Sequence, residues 1–253
     1  MRRLVIAVLA GSTILASACT DPVLEKRVAD LEQRVNTLEQ QQKARPNKIE
    51  AARGAATAAT SEQEAAAATL LREANTLVSD MKYDEAKIRL AALAKEYPTT
   101  RAARSSRRMA DELSVIGQDA GSLDVQKWYQ GDTTMDQGKA TLVVFWEVWC
   151  PHCRREVPAL ESTYEKYHPE GLNLVAVTKL TKSATDAKVV QFMKENRLTF
   201  PIAKETGDLS QRFGVQGIPA AAVIKDGKVV WRGHPARLTD EMLQTWLGTS
   251  GEG

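Results

Sequence analysis

The chain has 253 residues, 43% of them hydrophobic and 26% charged, which suits one or two packed domains and excludes a disordered or membrane-filling protein. Lysine plus arginine (34) nearly balance aspartate plus glutamate (32), and removing Arg2 and Arg3 with an N-terminal signal would equalise them, so nucleic acid is not the expected partner. Three cysteines cannot make a disulfide scaffold, so Cys19, Cys150 and Cys153 each need their own explanation.

Met1, Arg2 and Arg3 precede an apolar run from Leu4 to Ala18, the charged and apolar halves of an export signal over residues 1–18. Fifteen residues at about 1.5 Å each fall short of a hydrocarbon core of roughly 30 Å, so a permanent membrane span is not expected. Leu15-Ala16-Ser17-Ala18-Cys19 resembles a bacterial lipobox, with Ala16 where leucine is usual, and Ala16-Ser17-Ala18 also fits the ordinary small-x-small cleavage rule. Both readings cut before Cys19. Lipid on Cys19 is the expected membrane attachment, with the rest of the chain on the periplasmic side of a bacterial envelope.

Leu24, Val28, Leu31, Val35 and Leu38 alternate steps of four and three, the seam of a coiled coil. With leucine at d and valine at a, Arg27 and Arg34 fall at g and Glu32 and Glu39 at e, which suits a parallel homodimer through residues 24–42. The other reading is a single amphipathic helix lying on a neighbour. Residues 43–63, alanine-rich and broken by Pro46 and Gly54, read as a spacer. Residues 64–117 return to helical periodicity, with Leu70, Leu71, Ala74, Leu77 and Val78 on one face. Met81 to Ala86, then Leu90, Leu93 and Tyr97-Pro98, resemble one tetratricopeptide unit, against the plainer alternative of a generic helical hairpin. Thr99 or Thr100 is placed to cap a third helix running to Ile116.

After Gly121 strands and helices alternate, so residues 122–253 predict an α/β domain. Thr141 to Trp146 is the short apolar run of a strand buried on both faces, and it leads directly into Cys150-Pro151-His152-Cys153. The stretch to Tyr167 has helical spacing, which puts Cys150 at a helix N-terminus, where backbone N–H groups and the helix dipole favour a thiolate. Cys150 is therefore the expected attacking thiol. Cys153, one turn later, is close enough to close a disulfide with it.

On Phe145-Trp146-Glu147-Val148-Trp149-Cys150-Pro151-His152-Cys153 and Gly217-Ile218-Pro219, the stretch from about Leu123 to Leu247 resembles the thioredoxin-like family. Cys153-Arg154-Arg155-Glu156-Val157-Pro158 is similar to its extracytoplasmic TlpA and ResA type. That resemblance implies a cis-proline at Pro219 facing the cysteines and positioning substrate backbone with Ile218. It also implies a carboxylate, Glu156, one turn beyond Cys153, able to influence that thiol or pass its proton. Val144 stands where cytoplasmic thioredoxins have a buried aspartate. The Pro151-His152 dipeptide is the one found in the oxidant DsbA, but the 66 positions from Cys153 to Pro219 leave no room for DsbA's helical insertion. His152 is placed to stabilise the Cys150 thiolate, Pro151 and Glu156 to tune the pair, and Trp149 to shape the substrate surface. Trp128, Trp146 and Trp231 read as packing residues, and His168 and His234 as exposed loop residues.

No metal is expected, because no second cysteine pair exists and His168 and His234 lack ligand spacing. Covalent haem would need histidine where Arg154 stands. No bound cofactor is implied, since the cysteines carry the electrons. The expected architecture is an α/β thioredoxin-like C-terminal domain preceded by an all-α coiled-coil and helical-hairpin region. The expected activity is thiol-disulfide exchange with protein thiols or disulfides and a further redox partner. The competing class is an envelope scaffold whose thioredoxin-like domain docks partners without turnover. From the lipobox follows a first prediction: mass spectrometry of the membrane fraction should find a mature chain beginning at acylated Cys19. A chain beginning at Cys19 without lipid mass would reject the anchor.

Overall fold

The computed structural model describes residues 22–44 and 59–249; the signal segment, Cys19 and most of the spacer lie outside them. The chain divides into two units, 1–57 and 58–253. In the first, helix α1 (Pro22–Ala44) starts before and ends beyond the expected seam. Val28, Leu31, Val35 and Leu38 are each more than half exposed on it.

The second unit opens with α2 (Ser61–Ser79), α3 (Tyr83–Glu96) and α4 (Arg101–Ser114). Helix α2 begins three residues earlier than its periodicity implies because Thr60 and Gln63 form a reciprocal capping box, each side chain accepting the other's backbone N–H. Thr100, not Thr99, caps α4 by accepting from the Ala103 N–H. Ala67, Ala74, Ala86, Ala102 and Ala103 are buried at the helix contacts, and their small side chains let the three helices close on Leu90, Leu93 and Leu113.

Beyond α4 a six-stranded mixed sheet forms, in the order β1-β4-β3-β2-β5-β6. Its strands are β1 (Lys127–Gln130), β2 (Ala140–Phe145), β3 (Leu172–Thr178), β4 (Ile202–Lys204), β5 (Ala220–Lys225) and β6 (Lys228–Gly233). The helices are α5 (Pro151–Tyr167), α6 (Asp186–Glu195), the short α7 (Asp208–Arg212) and α8 (Asp240–Leu247). Strands β2 and β3 are parallel and buried throughout, whereas β5 runs antiparallel to β2 and pairs with β6. Side chains alternate faces as a pleated strand requires. Leu142, Val144, Leu174 and Ala176 pack with α5, α6 and α8, while Val143, Phe145, Val175 and Val177 pack with Leu209 and Phe213. The Asp226-Gly227 turn has positive φ at both residues (51° and 74°), the signature of a tight two-residue hairpin.

The helical segment is not a detached stalk: α4 packs on β6. The chain leaving α4 extends β6's outer edge, with the Gly117 N–H donating to the Val229 carbonyl and the Ala120 N–H to that of Gly227. Arg232 of β6 is 4% exposed and donates to the carbonyls of Phe213, Ala221 and Gly233. Burial pulls its pKa below the ordinary guanidinium value, and the charge of Glu112 on α4 opposes that shift. Glu112, itself buried, also holds Arg108 at 3.0 Å and Arg237 at 3.8 Å. One carboxylate from the helical segment therefore compensates a buried charge of the sheet.

Glu112→Gln should destabilise the protein by about 1–3 kcal/mol in urea unfolding, because it removes the buried charge that pairs with Arg108 and Arg237 and that favours the charged Arg232. Removing the exposed Lys166–Asp240 pair by Asp240→Asn should leave the midpoint within error.

Candidate active site

The apolar strand β2 ends at Phe145, and the next four residues turn so that the Cys150 N–H donates to the Glu147 carbonyl at 3.0 Å. Cys150 is the N-cap residue of α5, with extended backbone and no side-chain cap bond, and Pro151 occupies the first helical position, where a missing N–H costs nothing. The thiol faces the loop that leads into β5: Cys150 Sγ lies 3.7 Å from the carbonyl oxygen of Ile218. The Ile218–Pro219 peptide is cis, as the resemblance implies.

Cys153, one turn into α5, is 0% exposed. Burial pushes its thiol up to about 12; the Glu147 N–H opposes this, while the Cys150 side chain and the Glu147 carboxylate add to it. Glu147 is 3% exposed. Its Oε1 accepts from the backbone N–H and the hydroxyl of Thr181, both at 3.0 Å, and its Oε2 has no partner among the described residues.

Two expected site residues have these surroundings. His152 Nδ1 accepts from Arg155 Nη2 at 2.8 Å, since residues three apart face each other on a helix. Glu156 is half-buried and makes no hydrogen bond or ion pair among the described residues, while the Glu147 carboxylate contributes to the raised Cys153 thiol. Spacing beyond the second cysteine pointed to Glu156, but the available signal was a glutamate inside the apolar run Phe145 to Trp149. Trp149 is half-buried, donates from Nε1 to the Thr181 hydroxyl at 3.2 Å, and carries the Lys182 ammonium 3.5 Å above its ring. Trp146 and Trp231 are core residues, while Trp128 packs half-buried on the opposite face. His234 is not a plain loop residue: half-buried, it caps a 3-10 turn through Nδ1. His168, exposed, shares a contact with the Leu172 carbonyl.

Trp149, Glu147, Lys179, Gln216, Gly217 and Ile218 help to line a cavity of about 190 Å³ beside the thiol. Cys150 is 5% exposed at the start of α5 beside the Ile218 carbonyl, and Cys153, one turn on, is wholly buried. Among the described residues no cluster of three or more His, Cys, Asp or Glu could hold a metal ion, and no helix is long and apolar enough to cross a membrane.

Residues 116–232 match the AhpC/TSA family. Sporulation thiol-disulfide oxidoreductase A of Bacillus subtilis (strain 168) is 29% identical over 112 residues, covering 44% of this chain and 68% of that protein. Thiol-disulfide oxidoreductase ResA of Bacillus thuringiensis subsp. konkukian (strain 97-27) is 34% identical over 113 residues, covering 44% of this chain and 63% of that protein. Among solved structures, StoA from Bacillus subtilis aligns at a TM-score of 0.42 and 28% identity, over 49% of this chain and 94% of that one. The matches thus span under half of this chain and leave about a third of each curated relative unmatched. The C-terminal half is thus similar to the AhpC/TSA family, and its sequence relatives are enzymes, thiol-disulfide oxidoreductases.

In a Cys150→Ser background, alkylation of Cys153 should require pH well above the ordinary thiol range of about 8.5. Adding Glu147→Gln should shift that profile to lower pH, since removing a negative charge favours the thiolate. An unmoved profile would remove Glu147 from the groups that act on Cys153.

Proposed function

We propose that the protein is an extracytoplasmic thiol-disulfide oxidoreductase, held to the membrane by lipid on Cys19, that exchanges disulfides with protein substrates through Cys150-Pro151-His152-Cys153. The observation that carries the reading is the stacking of the two sulfurs: Cys150 at the helix start facing the Ile218 carbonyl, and Cys153 wholly buried one turn on.

Toward substrate reduction, the Cys150 thiolate attacks one sulfur of a substrate disulfide. A Cys150–substrate bond forms and the other substrate sulfur leaves as a thiolate. Cys153 then gives up its proton and attacks Cys150 Sγ, closing the protein disulfide and expelling the second substrate thiolate. Two electrons pass from the protein to the substrate, and the two leaving sulfurs take up two protons. The reverse sequence oxidises a substrate dithiol, and a partner of the thiol or disulfide class resets the pair. Glu147 supports the second step, because its buried Oε2 is an acceptor without a partner among the described residues and its charge acts on Cys153. His152 and Glu156 take supporting places in this reading, through Arg155 and the half-buried face of α5 respectively.

The exposed seam of α1 supports a parallel homodimer. A docking-only scaffold gives no role to two cysteines arranged for exchange. Cys153→Ser should trap substrate proteins as mixed disulfides, whereas Cys150→Ser should abolish trapping and turnover; trapping by the Cys150 variant alone would reverse the roles. Sedimentation of the protein from residue 21 should show self-association that deletion of residues 22–44 removes, and a monomer in both would reject the dimer.

A further inference from the structure

We infer that the helical segment is a working part of the exchange site: Asp111 on α4 is a positioning residue that holds the Gln216 to Pro219 loop against Cys150. The inference rests on the exchange activity proposed above. The loop stands between two contacts. On its inner side the Ile218 carbonyl faces Cys150 Sγ at 3.7 Å. On its outer side Gln216 Nε2 donates to Asp111 Oδ2 at 2.8 Å.

Other residues of the same helix and its C-cap lie close to the loop. Gly214 begins the loop at φ +59°, a conformation that favours glycine, and a side chain there would meet Val115 at 3.5 Å. Arg108 Nη2 comes within 4.0 Å of where a Gly217 side chain would start, and Arg108 is itself held by Glu112. Behind the loop, the Phe213 carbonyl is tied to buried Arg232. The stretch from Gly214 to Ile218 contributes no regular strand or helix; backbone bonds from Gly214 to Gln211 and from Val215 to Ser210 hold its start, and beyond Val215 the lateral contacts help to set its place.

Gln216 is exposed and Ile218 half-buried, and both line the cavity beside Trp149, where a polypeptide substrate would run. Freeing Gln216 widens the positions that the Ile218 carbonyl samples relative to the sulfur. A substrate that must lie along the loop loses alignment; a small disulfide that needs only the sulfur does not depend on it in the same way.

The test compares two oxidants of the reduced full-length protein: a cyclic disulfide peptide long enough to cross Pro219, and hydroxyethyl disulfide. Asp111→Ala should lower the peptide-to-small-disulfide rate ratio by about threefold to tenfold, the range expected for one net hydrogen bond. Asp111→Asn, whose amide oxygen can still accept from Gln216, should restore the ratio. Gln216→Ala approaches the same contact from the loop side, and the double Ala variant should be no worse than either single one. A wild-type ratio in both single variants, or an equal fall with both oxidants, would overturn the inference while leaving the exchange activity standing. No exchange of either oxidant by the wild-type protein would instead remove the activity on which it rests.

Discussion

A sulfur that solvent cannot reach can react only with what the fold brings to it. Cys153 is such a group, and its burial orders the rest of the site. It leaves Cys150 as the sulfur that meets a partner, since Cys150 sits at the helix start with its Sγ turned toward the Ile218 carbonyl. It also keeps the second thiol protonated until the first has reacted, because burial, Cys150 and Glu147 all disfavour its anion. A mixed disulfide at Cys150 removes one of those opposing groups. The trapped intermediate therefore makes its own resolution easier.

Two carboxylates buried at the chain's interior contacts have opposite duties. Glu112 is surrounded by Arg108, Arg237 and Arg232, and it locks α4 to the sheet by compensating charge. Glu147 has two donors on one oxygen and none on the other. A buried acceptor without a partner is costly, which is why the proposed exchange uses Glu147 Oε2 as the acceptor for the Cys153 proton. The helical segment enters the same account because α4 carries both Glu112 and the Asp111 that meets Gln216.

Much of this was legible in the sequence where a local rule decides the structure. The apolar run of β2 and the helix from Pro151 to Tyr167 follow from short-range pattern, and the structure places them within a residue or so. Strands β1 and β4 did not show, because four and three residues are too few to display a period of two. Helix α8 also escaped notice, although Thr239 caps it and Gly248 closes it. At the site, the cysteines and Pro219 came from motif order, but the partners of His152 and Cys153 depended on packing. Sequence separation hid the Asp111–Gln216 contact altogether, since its members are 105 positions apart.

The most direct test of paired, sequential cysteines uses the unaltered protein equilibrated across glutathione redox buffers, quenched in acid and weighed by mass spectrometry. The account predicts one two-electron transition between the dithiol and the Cys150–Cys153 disulfide, with the glutathione adduct never accumulating because Cys153 displaces it. A glutathione adduct that builds up as the stable oxidised form would contradict it, because the buried sulfur would then not be resolving what Cys150 captures.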